Sequence, residues 1–160
     1  MKTRDLQTLW WDWLGTSERL LRSLYEQTAA LTLRDVSRVE RIQPELETHM
    51  DRLRTLDQQA VACAKRLAGE LGTEPTLRGL VQALDKAEAQ QLHGLANRVK
   101  VAARNVQEVI AKNKVLLENE MTYINGTLTL IAKTVTTAQG PYRAANRAVV
   151  KTSVTMDTAA

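Results

Sequence analysis

The sequence has no phenylalanine, one cysteine, three prolines and few aromatic residues of any kind, 4% of 160 residues. The lone Cys63 excludes an intrachain disulfide and fits a reducing compartment. No apolar run approaches the roughly 18 residues that a membrane span needs. The opening MKTRDLQTLWWDWLG places Asp5 and Asp12 where a signal peptide would carry unbroken apolar sequence. A cytosolic chain, neither exported by a signal peptide nor inserted in a membrane, is therefore expected.

The apparatus of catalysis is missing as well. There is no glycine-rich phosphate loop, no recognisable Ser/His/Asp set and no paired carboxylates in a familiar context. His49 and His93 each lack a glutamate three residues earlier, so a helical Glu-x-x-His metal site is not supported. No metal, no cofactor and no enzymatic activity are expected. The net charge of +4 is mild and its carriers are interspersed, which does not call for nucleic acid. Between Lys133 and Met156, however, Lys133, Arg143, Arg147 and Lys151 stand without an acidic residue, so the C-terminal tail is locally basic. Four charges so spread would give phosphates only weak, salt-sensitive contacts.

What the chain does have is aliphatic periodicity, since cores rich in Leu, Ala and Val and poor in aromatics typify long-helix bundles. Residues 104–132 organise the rest. Val109/Ile110, Leu116/Leu117, Tyr123/Ile124 and Leu130/Ile131 recur every seven residues and put apolar pairs on one side of a helix. A seam facing one partner helix needs only single a and d positions. A doubled stripe suggests a helix that touches two surfaces, one its own and one foreign.

In chain order, Leu6, Leu9, Trp10, Trp13, Leu20, Leu21, Leu24 and Leu31 predict a first helix over residues 3–30, continuous through Gly15 because one glycine costs only about 1 kcal/mol. Thr32-x-x-Asp35 reads as a capping-box variant that opens a second helix. Val39, Leu46, Leu53, Ala60 and Leu67 then hold a seven-residue spacing that stays in phase across Pro44, where a kink at residues 41–43 is expected. Gly72 suits a left-handed helix end, and Pro75 the first turn of the next helix. Gly79 and Gly94 are soft points, so the third helix can fall into two pieces, residues 76–85 and 87–134. The fold class expected is all-α: an antiparallel bundle of about three long helices with coiled-coil-like packing over residues 1–137, and a flexible basic tail over 138–160.

The residues Asn113-Lys-Val-Leu116-Leu117-Glu118, followed by an amphipathic continuation to Ile131 and a Gly/Tyr-containing tail, resemble the last long helix of the FlgN family of flagellar type III export chaperones. Leu20-Leu-Arg-Ser-Leu24-Tyr-Glu26, Leu31-x-x-x-Asp35 and Leu71-Gly72 are similar to that family's first helix, its entry into the second and the end of the second. The chain departs from the family where Gly140 precedes Pro141-Tyr142 in place of a Tyr-Gly-x-x-Gly-like segment. The resemblance implies a cytosolic helical chaperone that holds hook-associated (hook-filament junction) proteins by their C-terminal helices, keeps them unpolymerised and delivers them to the export gate or its ATPase complex. Tyr142 would then be the candidate gate-docking residue.

The candidate client surface is Val109, Ile110, Asn113, Leu116, Leu117, Tyr123, Ile124, Leu128 and Ile131. The competing reading is that all of them face their own bundle. Asn113, Glu120, Gly126 and Thr127 favour an interrupted, intermittently covered stripe over a sealed seam. A second class of function also stays open, an oligomerising coiled-coil adaptor whose stripe mates with its own copy as a homodimer. Trp10, Trp11 and Trp13 hold half of the aromatic residues and read either as a partner hot spot or as packing at the bundle end with Trp11 partly exposed. Asn113 reads either as a register-fixing side chain or as a solvated one. Cys63 reads as a small buried hydrophobe.

Overall fold

The computed structural model describes residues 1–138; within the last helix, the side chains at 123, 124, 127, 128, 130–132 and 134–138 lie outside the described residues. The described residues form four helices, α1 (Arg4–Thr32), α2 (Val36–Leu71), α3 (Leu77–Ala83) and α4 (Lys86–Ala138), and no strand. The sequence suggests about three. The fourth is the seven-residue α3, split from α4 at Leu84 and Asp85.

α1 runs unbroken through Gly15, because the hydroxyls beside it bond back into the helix: Thr16 Oγ1 donates to the Asp12 carbonyl and Ser17 Oγ to that of Leu14. Both residues are buried, so these bonds satisfy groups that water cannot reach. The α1/α2 turn differs from the capping-box expectation. Thr32 is the last residue of α1, with its hydroxyl turned back to the Thr28 carbonyl, and Asp35 alone caps α2 by accepting from Arg38 N. Between them Arg34 adopts the left-handed conformation at φ 55°. Its N–H bonds Leu31 O and that of Asp35 bonds Ala30 O, the paired closure that usually has glycine at this position.

α2 is helical across Pro44. Its seven-residue row Leu46, Leu53, Ala60 and Leu67 is buried. Gly72 ends it in the left-handed conformation, as expected. Pro75 is not in a helical first turn, because Thr76 caps α3 by accepting from Gly79 N. Gly79 is a requirement rather than a soft point. A Cβ there would lie 2.7 Å from the Glu74 carbonyl oxygen, whereas at Gly15 and Gly94 it would meet nothing within 4 Å.

The chain divides into two compact units, Met1–Lys114 and Val115–Ala160. In the first, α1 and α2 are antiparallel: Arg66 near the end of α2 pairs with Asp5 at the start of α1 at 2.9 Å. α4 runs in the same direction as α1, as the third long helix of an up-down-up arrangement does. Trp13, Leu20 and Leu24 of α1, Ile42, Leu46, Leu53 and Leu56 of α2 and Val106 of α4 form one core cluster. Leu6, Ala60, Leu67, Leu80 and Leu92 form a second, toward α3. Each fully buried leucine contributes about 1.5–3 kcal/mol. The second unit contains α4 from Val115 to its end; residues 139–160, the expected basic tail, lie outside the described residues.

Trp13 is buried with its indole N–H lacking an acceptor at hydrogen-bonding geometry. The carboxyl of nearby Asp57, an exposed residue, is pushed up by partial desolvation, an effect the indole partly offsets. A carboxyl that holds its proton more tightly when folded gives most stability below its ordinary range and loses it as pH rises through the folded value. Asp57→Asn is therefore expected to raise the thermal midpoint modestly at pH 7 and to leave it unchanged at pH 3. In urea titrations at neutral pH, Gly79→Ala is expected to destabilise the chain by about 1–3 kcal/mol.

Candidate functional site

The stripe on α4 changes its surroundings at Asn113. Before it, Val99, Ala102, Val109 and Ile110 are partly buried against the Trp13 cluster, and Val106 belongs to that cluster. Val109 and Ile110 are thus partly buried against their own bundle. The physical reason is that the cluster they pack on draws residues from both α1 and α2, so a doubled stripe does not by itself require a foreign surface.

Asn113 is 3% exposed and engaged wholly with α1. Its Nδ2 donates to the Leu24 carbonyl at 2.9 Å and to Gln27 Oε1 at 3.0 Å. Its Oδ1 accepts from the Thr28 hydroxyl. That hydroxyl also lies 3.0 Å from the Leu24 carbonyl, but it has one proton, and the carbonyl already takes the helical N–H and the Asn113 amide. Donation to Asn113 completes the network. Asn113 is the register-fixing residue of the two readings, and none of its donors is left for a client.

A second polar contact joins the other ends of α1 and α4. Thr3 is 0% exposed; its hydroxyl accepts from Gln7 Nε2 and faces Glu88 Oε1 at 3.5 Å. Glu88 is itself buried, and its N–H is capped by Asp85. Thr3–Glu88 and Thr28–Asn113 share one sequence offset, 85, so α1 and α4 keep constant register along almost all of α1.

Beyond Asn113 the side chains stand differently. Leu116 is half-buried, while Leu117 is 43% exposed and Met121 57%. Leu117 and Met121 lie one helical turn apart and share a face. Met121 is a candidate that the pairwise reading of the stripe missed; its signal was the four-residue step from Leu117 and the three-residue step to Ile124. Tyr123, Ile124, Leu128, Ile131 and Tyr142 lie outside the described residues.

Trp11 is 52% exposed, with the Arg98 guanidinium 5.6 Å from its ring centre, whereas Trp10 packs on the α3-side cluster and Trp13 is core. The tryptophans therefore do mostly structural work. Cys63 is only half-buried; its thiol is pushed up by burial, partly offset by Arg66, which disfavours a reactive thiolate. His49 sits 3.5 Å from Glu45 on its own helix. No group of three metal-ligating side chains occurs, and no helix is long and apolar enough to cross a membrane, among the described residues.

Replacing Asn113 by alanine leaves Gln27 and Thr28 without their α4 partner inside the bundle. Urea unfolding followed by helical circular dichroism is expected to show a loss of about 1–3 kcal/mol.

The family model described as FlgN protein matches residues 1–148. No characterised protein and no solved structure matches the chain. The match spans the α1–α2 hairpin, α3 and the whole of α4, and with it the Asn113-to-Leu117 segment on which the resemblance rested. The chain belongs to the FlgN family, a family of flagellar export chaperones.

Proposed function

We propose that this chain carries hook-associated proteins, the junction subunits between hook and filament, by covering their C-terminal helices with the distal half of α4. The observation that carries the reading is the adjacent exposure of Leu117 and Met121 directly after Asn113, the last buried residue among those described. In sequence, Ile124, Leu128 and Ile131 continue that face at alternating three- and four-residue steps. A subunit helix destined for the inside of a polymer has an apolar stripe to hide beforehand, and a helix laid against a helical groove hides it. The client set is therefore Leu116, Leu117, Met121, Ile124, Leu128 and Ile131, with Tyr123 at its edge. Val109, Ile110 and Asn113 are left to the bundle.

Such a surface also suits release. Covering a handful of aliphatic side chains yields about 1.5–3 kcal/mol each at most, against an association cost of about 4–15 kcal/mol. The surplus is modest, so handover at the type III export gate needs no nucleotide bound to the chaperone. Tyr142 is the proposed contact with the gate or its ATPase complex. Neither nucleic acid nor a membrane is a proposed partner, and the proposed compartment is the cytosol.

The test is capture of a purified hook-filament junction protein by the full chain. Leu117→Asp and Met121→Asp are each expected to weaken capture by tenfold or more while helical circular dichroism and the urea midpoint stay unchanged, because neither side chain is core. Loss of folding would place them in the bundle. A stable homodimer in solution that dissociates on Leu117→Asp, with no capture by the wild-type chain, would favour the oligomerising adaptor instead.

A further inference from the structure

The aliphatic seam of α4 is nearly repetitive at seven residues. Ala103, Ile110, Leu117 and Ile124 form one row, and Ala102, Val109 and Leu116 another. Moving α4 by one heptad along α1 would exchange apolar for apolar in both rows, bringing Leu116 and Leu117 to the places of Val109 and Ile110. Leu117, the exposed start of the proposed client face, would then be partly buried against the Trp13 cluster. Packing opposes this slip through volume alone: Val109 and Ile110 would crowd the places of Ala102 and Ala103, and Ala102 would underfill that of buried Leu95.

Two rows change character: Leu92, Val99, Val106, Asn113 and Glu120, and the second row where it runs back through Leu95 to Glu88. In the observed register Asn113 meets the Leu24 carbonyl, Gln27 and Thr28. A forward slip would put Glu120 there, a carboxylate with no proton for the Leu24 carbonyl. A backward slip would put Val106 there and leave the polar groups of α1 unanswered. The other clamp acts in the same sense, because a forward slip gives buried Thr3 a leucine, Leu95, in place of Glu88. A single polar residue in an apolar seam is known to set helix register at some cost in stability.

We infer that Asn113 is a positioning residue whose polar clamp, with Thr3–Glu88 at the opposite end, holds α4 against a one-heptad slip and so keeps Leu117 exposed and open to a client helix. The register claim stands on its own. Its link to client capture rests on the proposed function.

The experiment uses the full chain with Cys63→Ser and spin labels at Glu18→Cys and Lys112→Cys, both exposed sites. A seven-residue slip moves α4 by about 10 Å along its axis, toward shorter label separation. The unsubstituted clamp is expected to give one distance. N113L is expected to add a shorter population. N113L/E120N, which carries the amide one heptad on, is expected to shift to the shorter distance and to capture the purified junction protein at least tenfold more weakly with Leu117 and Met121 intact. E120N alone retains the native clamp, and a slip would carry Asn113 into the core place of Val106, so it is expected to keep the native distance. A single unchanged distance in N113L/E120N overturns the register lock. A shortened distance with undiminished capture overturns its link to the client. Absence of capture by the clamp-intact chain would refute the carrier reading, with the distances still deciding the lock.

Discussion

Asn113 gives both of its amide protons to α1, one to a backbone carbonyl and one to Gln27, and receives the Thr28 hydroxyl in return. Everything around this network is aliphatic and forgiving. Leucine, valine and alanine at helical spacing specify which face is inward but not which turn meets which, because one turn of such a face is chemically much like the next. A satisfied amide in a dry seam is different, since its loss leaves uncompensated polar groups that water cannot reach. The two ends of α1 are tied to α4 by polar contacts of this kind at one common offset, with apolar packing between them. Hydrophobic burial supplies the adhesion of the bundle, and the polar pairs supply its alignment.

The near absence of aromatic residues from the core follows from the same design. Long helices in extended contact bury many small increments of area, so stability accumulates by length and needs no large anchors. Trp13 is the exception, and its indole N–H shows the difficulty a ring with a polar handle meets there. It is buried without a well-placed acceptor, and the carboxylate near it is itself disfavoured by partial desolvation. Arg34 is a comparable compromise in the backbone, an ordinary residue in a conformation that glycine would adopt without strain.

Much of this was legible in the sequence. The row Leu46 to Leu67, the continuity of α1 through Gly15, the stop at Gly72 and the partial exposure of Trp11 follow from spacing and elementary helix chemistry, and the structure places them accordingly. The errors cluster where two local devices compete for the same letters. Thr32-x-x-Asp35 has the pattern of a helix start, but Thr32 completes α1 and only Asp35 caps. Pro75 has the look of a first helical residue, but Thr76 supplies the acceptor for Gly79. Gly79 looks like a weak point because a single sequence cannot show that the Glu74 carbonyl closes over it. The candidate site was half legible for a deeper reason. Periodicity identifies a buried face without naming the partner, so Val109 and Leu117 read alike although one packs on the core cluster and the other is exposed.

That likeness is a problem for the molecule as well as for its reader. A protein that covers other chains' helices with a helix of its own must offer a surface of the same composition as its core, and such a surface is drawn into any groove the chain can present to it. Charges on the stripe would prevent this but would also repel the client. A polar residue at the junction between covered and open stretches resolves the conflict, because it favours one alignment without altering the open face. Asn113 stands at that junction: Ile110, three residues before it, packs on the core, and Leu117, four residues after it, is exposed. An amide suits the position better than a carboxylate or a lysine. It can donate to a helix carbonyl and accept from a hydroxyl at once, and it carries no charge to be desolvated.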